Sequence, residues 1–523
     1  MEDALDSAQD LLSTEKSPMV HQQTAGLGPI PTTRHPRRVL LIQPGRTQPG
    51  DWEISFKSPI LPLGLAMVAG AARAAGHTVK VHDGAAISDR KLKKLRILLE
   101  EFAPDVVGLT AGTFRIGDAA NTAAMVKAWR PSTPIIIGGW HATAVPVETL
   151  QAFTMFDAAA FGEGEKTLNE WLELLESPAD WPKVAGLASR QGECVVRGPD
   201  RAFITDLDAL PRAAYDLFPL PLYRQQTVLF PRGQVVTVAT ARGCPYHCSF
   251  CQNPAGTVVR QRSIASIVAE MADLARSGIT GFYFTDETFT VNQKRATQLF
   301  EAMIAEPDLR KIYWSAMTRV DAVTPALLKL MRNSGGYLLF YGVESGNQAN
   351  LTLTNKKIVK EQAQLAVTMA QQAGFFTHIG QIIGLPGETH ASVQETIQFS
   401  LDLDPDACSF APLVPFPGTD IWRMAQRGEK GLRILSADWR TYRVILGRPT
   451  LQLDNMTAAE IQRWHLRAFA RFYLRPRKIM NMFKLFSPLQ LIVAATAALV
   501  QGLARARRTP AKPLNLQDVP ADQ

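Results

Sequence analysis

Three of the chain's five cysteines crowd into one short stretch, ARGCPYHCSFCQNP (Ala241–Pro254), as Cys244, Cys248 and Cys251. Five cysteines in 523 residues are too few for a disulfide framework, and a tight triplet in a chain without an apolar leader reads as metal binding in a reducing cytoplasm. Thiolates are soft ligands that suit zinc or an iron–sulfur cluster. A structural zinc site takes four ligands, commonly from two C-x2-C pairs. Here the pattern is C-x3-C-x2-C with no second pair; Cys194 and Cys408 are distant in sequence, and His247 inside the loop is the one nearby fourth donor. Three thiolates on a four-iron cluster would leave one iron open to a ligand, which a closed zinc site does not offer.

The elements that must position this loop form a regular series. VVTVAT (Val235–Thr240) runs into the cysteines. GFYFTDETF, KIYWSAMT, YLLFYGVESG, FTHIGQIIGLPGET and ACSFAPLVPFPGT follow, with helical stretches such as SIASIVAEMADLARSG between them. Six strand–helix repeats close most of a barrel. Their strands end in Asp286 and Glu287, Arg319, Glu344 and Ser345, then Gln381 and Gly384. In such barrels the reactive face is the one at the carboxyl ends of the strands, so these side chains are expected to converge on the cysteine loop.

Before it, from Arg38, apolar strands again alternate with helices: RVLLIQP, TVKVHDG, VVGLTAG, TPIIIGGWHAT and DAAAFGEGE. That alternation predicts a parallel, doubly wound sheet. Its strands end in glycines: Gly84, Gly112, Gly138 with Gly139, and Gly162 with Gly164. Ligands of such sheets bind beyond the carboxyl ends of the strands, and glycine there lets backbone approach a flat or phosphate-bearing molecule. Tight turns need glycine too, so this signal alone is weak. No GxxxxGK[ST] loop is present, and GLGPIP follows no strand.

The cysteine spacing, with Phe250 just before Cys251, resembles the radical S-adenosylmethionine (radical SAM) superfamily. FTDETF, FYGVESG and GQIIGLPGET are similar to its later barrel motifs, in the right order. The resemblance implies that Cys244, Cys248 and Cys251 hold a 4Fe-4S cluster. Its open iron binds S-adenosyl-L-methionine, whose reductive cleavage yields a 5′-deoxyadenosyl radical. It further implies that Asp286 and Glu287 meet the methionine amino group, Arg319 its carboxylate, and Glu344 and Ser345 the ribose. Phe250 and the stretch containing Gln381 and Gly384 complete that site. The preceding domain resembles the cobalamin-binding class, through GGWHATAVPVE and FGEGEKT. Gly112, Gly138, Gly139, Gly162, Glu163 and Gly164 would then face cobalamin. The D-x-H-x-x-G motif of many cobalamin domains is absent, so His141 is expected to pack or hydrogen-bond rather than ligate cobalt.

The expected fold is therefore α/β: a Rossmann-like cobalamin-binding-type domain (37–176), a linker (177–233), a partial (β/α)6 TIM-like radical SAM barrel (234–435), and a helical C-terminal region (436–508). Residues 1–36 and 509–523 are expected to be disordered. The expected activity is cobalamin-dependent methyl transfer to an unactivated carbon or phosphorus of a small or lipid-like molecule, fed by an electron donor such as flavodoxin or ferredoxin. A radical cyclase or rearrangement enzyme is the alternative. RNA modification and a non-catalytic cobalamin sensor rank lower: residues 1–193 lack the cysteines of a second cluster, and a sensor has no need of the later barrel motifs. A net charge of +8 and pI near 9.2 fit anionic partners without choosing one. The apolar run Leu489–Ala504, flanked by arginines and lysines, is short for a membrane span and suits an interfacial or a packed helix. The expected location is cytoplasmic, with peripheral contact on the inner membrane face.

Overall fold

The structure, a computed structural model, describes residues 32–47, 60–227, 230–442 and 449–485. Four parallel strands follow β1 (Arg38–Gln43): β2 (Thr78–Asp83), β3 (Val106–Thr110), β4 (Ile135–Gly138) and β5 (Ala158–Ala160). Their order is β2-β1-β3-β4-β5. The run VLLI in β1 is buried on both faces, because alternate side chains meet different cores. Val39 and Leu41 pack with the helix Leu63–Ala74 through Leu65, Ala66 and Ala69. Leu40 and Ile42 pack with the helices Lys93–Phe102 and Ile116–Trp129. Within the stretch expected as a linker, β6 (Leu187–Gln191) and β7 (Cys194–Arg197) add antiparallel to β5 and complete a seven-stranded sheet.

The second sheet runs β8 (Arg224–Thr227), β9 (Phe230–Val238), β12 (Gly281–Phe284), β13 (Tyr313–Thr318), β14 (Gly336–Glu344), β15 (Phe376–Ile383) and β16 (Ala407–Pro412), once β10 (Ala241–Arg242) and β11 (Arg260–Gln261) are set aside as a separate hairpin. Strands β9 and β12–β16 are parallel and β8 is antiparallel at the edge. This is the expected six-fold repeat, left open as a partial barrel. Several helices start at the signals the sequence carries: Ser263, Asn292, Thr324 and Thr389 each accept a backbone N–H from the first turn. Against them pack the outward strand residues, with Trp314 stacked on Phe300 at 5.3 Å between ring centres. Such buried aromatic side chains contribute roughly 1.5–3 kcal/mol each.

The helix Ala458–Tyr473 closes the β16 edge. Its Tyr473 hydroxyl accepts the Cys408 N–H at 3.0 Å and donates to the Cys408 carbonyl at 2.8 Å, satisfying backbone groups that an edge strand otherwise exposes. No helix among the described residues is long and apolar enough to cross a membrane; Leu489–Ala504 lies outside the described residues. The two sheets share one continuous apolar cluster. The Thr237 hydroxyl donates to the Leu61 carbonyl at 2.8 Å, and the Tyr223 hydroxyl to Asp83 at 2.6 Å; residues at the carboxyl ends of β1, β3 and β4 and those just after β9 and β12 line one cavity, so the carboxyl ends of the two sheets meet there.

Candidate functional site

The cysteine loop hangs between β10 and β11. Gly243 must precede Cys244: its φ is +98°, and a Cβ there would sit 2.3 Å from the Val258 carbonyl oxygen. Backbone bonds then fix the loop. Cys244 N–H donates to Gly256, Cys251 N–H to Cys248 and Ser249 N–H to Thr354, each at 3.0 Å. Asn253 donates to the Cys244 carbonyl at 3.0 Å and Asn355 to the His247 carbonyl at 2.8 Å. Cys244 Sγ lies 3.4 Å from the Thr288 hydroxyl. Burial pushes the Cys248 thiol up, with Lys356 and Arg319 opposing. Among the described residues, no three His, Cys, Asp or Glu side chains are gathered to hold one metal ion. A zinc ion needs its sulfur donors about 2.3 Å from one centre, whereas an iron–sulfur cluster takes each thiolate on a separate iron. Three free cysteines on one loop are the donor set such a cluster takes.

The residues expected to surround S-adenosylmethionine sort by what they touch. Asp286 is buried and accepts from the Thr240 N–H at 3.1 Å and the Thr240 hydroxyl at 2.8 Å; burial pushes its carboxyl up to about 6. Its neighbour Glu287 turns the other way, accepts the Gly243 N–H at 3.2 Å and lines the central cavity. Arg319 chelates Asp321 with two contacts of 2.8 Å, and its guanidinium lies 3.6 Å from the Tyr246 ring centre, so it braces the cysteine loop. Glu344 ends β14 at φ +72° and pairs with Lys356 at 2.8 Å. Lys356 also lies 5.8 Å from the Phe250 ring. Ser345 is buried, 3.1 Å from the Thr396 hydroxyl. Gln381 donates to Ser400 at 3.0 Å, and its side-chain oxygen Oε1 has no hydrogen-bond partner among the described residues.

Glu388, absent from the sequence expectations, shapes the Gly384 turn. Its carboxyl accepts from Gly384 N–H at 2.5 Å, Leu385 N–H at 3.2 Å and Asn350 at 3.2 Å. Burial pushes it up to about 8, against those three donors. Between the ordinary glutamate value of 4.5 and about 8 the unfolded chain has lost the proton that the folded chain keeps, so stability falls as pH rises through that window. Glu388→Gln is expected to flatten this slope, read from denaturation midpoints across the window. An unchanged slope would sink the assignment.

A cavity of about 420 Å³ lies between the sheets. Its floor is the carboxyl ends of β1, β3, β4 and β5, at the point where strand order reverses. Gly138, Gly139, Gly162, Glu163 and Gly164 line it; Gly112 does not, being covered by Phe114. Among the described residues, a Cβ on Gly64 or Gly162 would meet no atom within 4 Å, and one on Gly138 nothing nearer than 3.9 Å. Bare backbone facing open space, with Leu65, Leu109 and Ile136 around it, is a cradle that suits a flat corrin. Among the described residues no histidine lines it. His141 is buried, 3.1 Å from the Thr113 hydroxyl and edge-on to Trp439, and burial pushes it down to about 3. The roof is the barrel's: Ala239, Ala241, Arg242, Pro254, Ala255 and Glu287. Arg242, Lys356 and Glu165 were also missed by the sequence reading; Arg242 carried a signal, standing two residues before the first cysteine.

Comparison with known proteins agrees with both halves. The Radical SAM superfamily matches residues 238–400 and the B12 binding domain residues 54–172. The chain is 32% identical to an uncharacterized methyltransferase of Pyrococcus horikoshii, over 85% of this chain and 94% of that one. It is 28% identical to the anaerobic magnesium-protoporphyrin IX monomethyl ester cyclase of Rubrivivax gelatinosus, over 84% of this chain and 77% of that one. It shares the fold of the radical SAM methyltransferase TsrM from Kitasatospora setae, a structure with cobalamin and a 4Fe-4S cluster bound, at a TM-score of 0.64 and 22% identity over 83% and 82% of the two chains. The chain thus belongs to the radical SAM superfamily, in the class that carries a B12-binding domain ahead of the barrel and works with a 4Fe-4S cluster, S-adenosyl-L-methionine and cobalamin.

Proposed function

We propose that this protein is a cobalamin-dependent radical SAM methyltransferase acting on an unactivated carbon or phosphorus of a small or lipid-like molecule. One observation carries the reading: a single cavity has the glycine cradle of the first sheet as floor and the cysteine hairpin with Glu287 as roof. The methyl carrier would sit in the cavity and the radical-generating centre beside it, on the loop whose two ends line the cavity while its cysteines do not. When bound, the cluster supplies one electron for S-adenosylmethionine cleavage and cobalamin supplies a methyl carrier. The chain's own residues do the rest. Cys244, Cys248 and Cys251 would hold the cluster, and Arg319 and Tyr246 brace the loop that presents them. Glu287 offers a carboxylate at the chamber wall, and the Glu388-capped Gly384 turn shapes the end of β15.

The relatives named as methyltransferases favour methyl transfer; the relative named as a cyclase supports a radical cyclisation as the second reading. The test is anaerobic reconstitution with iron, sulfide and hydroxocobalamin, then incubation with methyl-labelled S-adenosylmethionine and a flavodoxin or ferredoxin donor. The expected result is about four irons and one cobalamin per chain, and label transferred into a small-molecule acceptor with 5′-deoxyadenosine formed. Cluster without cobalamin, and deoxyadenosine without label transfer, would favour cyclisation. A lipid-like substrate also fits the helices at residues 458–485, which expose Leu466, Leu474 and Met480 beside Arg463 and Arg477. Co-sedimentation with anionic liposomes is expected, and its absence would remove peripheral membrane contact from the proposal.

A further inference from the structure

The turn FGEGE ends the first domain's fifth strand, and its acids do not behave like ordinary turn residues. Glu163 is the N-cap of the helix Gly164–Glu173, yet its side chain makes no cap bond to that helix. It crosses to the barrel instead. Arg242 and Arg260 both donate to the same oxygen, Glu163 Oε1, at 2.7 and 2.6 Å, while Oε2 accepts the Ile204 N–H at 2.6 Å. Arg242 also donates to Glu165 at 2.5 Å and approaches Met67 Sδ at 3.3 Å. All four charged side chains are 13% exposed or less. Two guanidiniums and two carboxylates thus cancel in a buried site, where removing one partner leaves a charge uncompensated.

The placement of the arginines gives this cluster a purpose. Arg242 and Arg260 are paired across the hairpin from which the cysteine loop hangs, so both ends of that loop are gripped by one carboxylate. Arg260 also donates to the Ala255 carbonyl at 2.8 Å, on the loop's return and at the cavity roof. Glu163 is held between Gly162 and Gly164, which form the cavity floor. Moving the floor therefore moves the loop.

We propose that Glu163, Glu165, Arg242 and Arg260 form an interdomain latch that couples occupancy of the glycine cradle to the order of the cysteine loop, and that these are positioning residues for both cofactor sites. This rests on the cradle binding a corrin, as proposed above. Coupling of this kind is reciprocal: whatever orders the floor must order the loop, and a loosened loop must weaken the floor's ligand.

The test is hydrogen–deuterium exchange of residues 243–259 in the cluster-loaded full chain, with and without hydroxocobalamin, alongside hydroxocobalamin titration. In the natural chain the corrin is expected to slow exchange of the loop. In Glu163→Gln the loop should exchange about ten-fold faster, lose its response to the corrin, and bind hydroxocobalamin about ten-fold more weakly. Glu165→Gln, which leaves both arginines on Glu163, should do the same to a lesser degree and serves if the first variant folds poorly. Glu170→Gln, which removes an ion pair with Arg201 on the far side of the same helix, should change neither quantity. Loop exchange that still responds to the corrin in both latch variants would overturn the proposal, as would wild-type corrin affinity alongside a loosened loop. A natural chain that binds no hydroxocobalamin would fail the cradle reading instead, while loop exchange of the variants would still report the grip of Glu163 on the hairpin.

Discussion

Cys244→Ala is expected to remove the iron–sulfur cluster and, with it, reductive cleavage of S-adenosylmethionine, while leaving the chain folded. Three thiolates are the minimum that hold such a cluster with one iron open, and a loop with two cannot supply a replacement from nearby. Cys194 is on a strand of the other sheet, and Cys408 is buried on β16 with its backbone taken by Tyr473. The fold survives because the loop is tied by backbone and amide bonds, from Cys244 N–H to Gly256 and from Asn253 to the Cys244 carbonyl, none of which uses the thiol. Iron should fall from about four per chain to below one, and 5′-deoxyadenosine formation should fall by at least about 10³-fold, with the thermal midpoint moving by a few degrees or less. Iron and sulfide content, the visible spectrum and deoxyadenosine yield are the readouts. A variant that keeps a full cluster would show that the loop is not its ligand.

Gly64→Trp is expected to abolish cobalamin binding without harming the cluster. Gly64 is the second residue of the helix Leu63–Ala74, on the cavity wall, and a Cβ there meets nothing within 4 Å. A tryptophan there is accommodated in open space at the cavity wall without straining the helix, and is expected to reach into the cavity. A corrin and an indole cannot share the space, so steric exclusion, not unfolding, is what the variant measures. Cobalamin after reconstitution and desalting should drop from about one per chain to less than about a tenth, with iron content unchanged and the thermal midpoint within about 2–4 °C of the parent. Gly139→Trp would be a poorer test, because a Cβ there already sits 2.7 Å from the Thr110 hydroxyl and the variant would confound misfolding with exclusion. Full cobalamin retention in Gly64→Trp would place the corrin elsewhere.

These outcomes bear on how much the amino-acid order says unaided. The alternation of apolar runs with helical patterns determined both parallel sheets and the six-fold repeat of the second, because strand and helix periods are local and need no partner to be visible. The C-x3-C-x2-C spacing pointed to the cluster loop, since ligand spacing within one turn of chain is local too. The position of the glycines at strand ends pointed to the cradle, and the absence of D-x-H-x-x-G led to the expectation that His141 packs or hydrogen-bonds; the partners, Thr113 and Trp439, came from the tertiary structure.

Local pattern could not assign β6 and β7 to the first sheet, because the register Ala158↔Ser189 is a long-range pairing with no trace in either segment. Nor could it separate Asp286 from Glu287. Adjacent residues at a strand end point opposite ways, and only packing shows that one is buried under Thr240 while the other faces the cavity. Arg319 is committed to Asp321 and Tyr246, and Glu163 to Arg242 and Arg260, for the same reason. A buried charge takes whichever counter-charge the fold brings within about 3 Å, and which one that is, nearly eighty residues away along the chain for Glu163 and Arg242, is decided when the two sheets meet face to face.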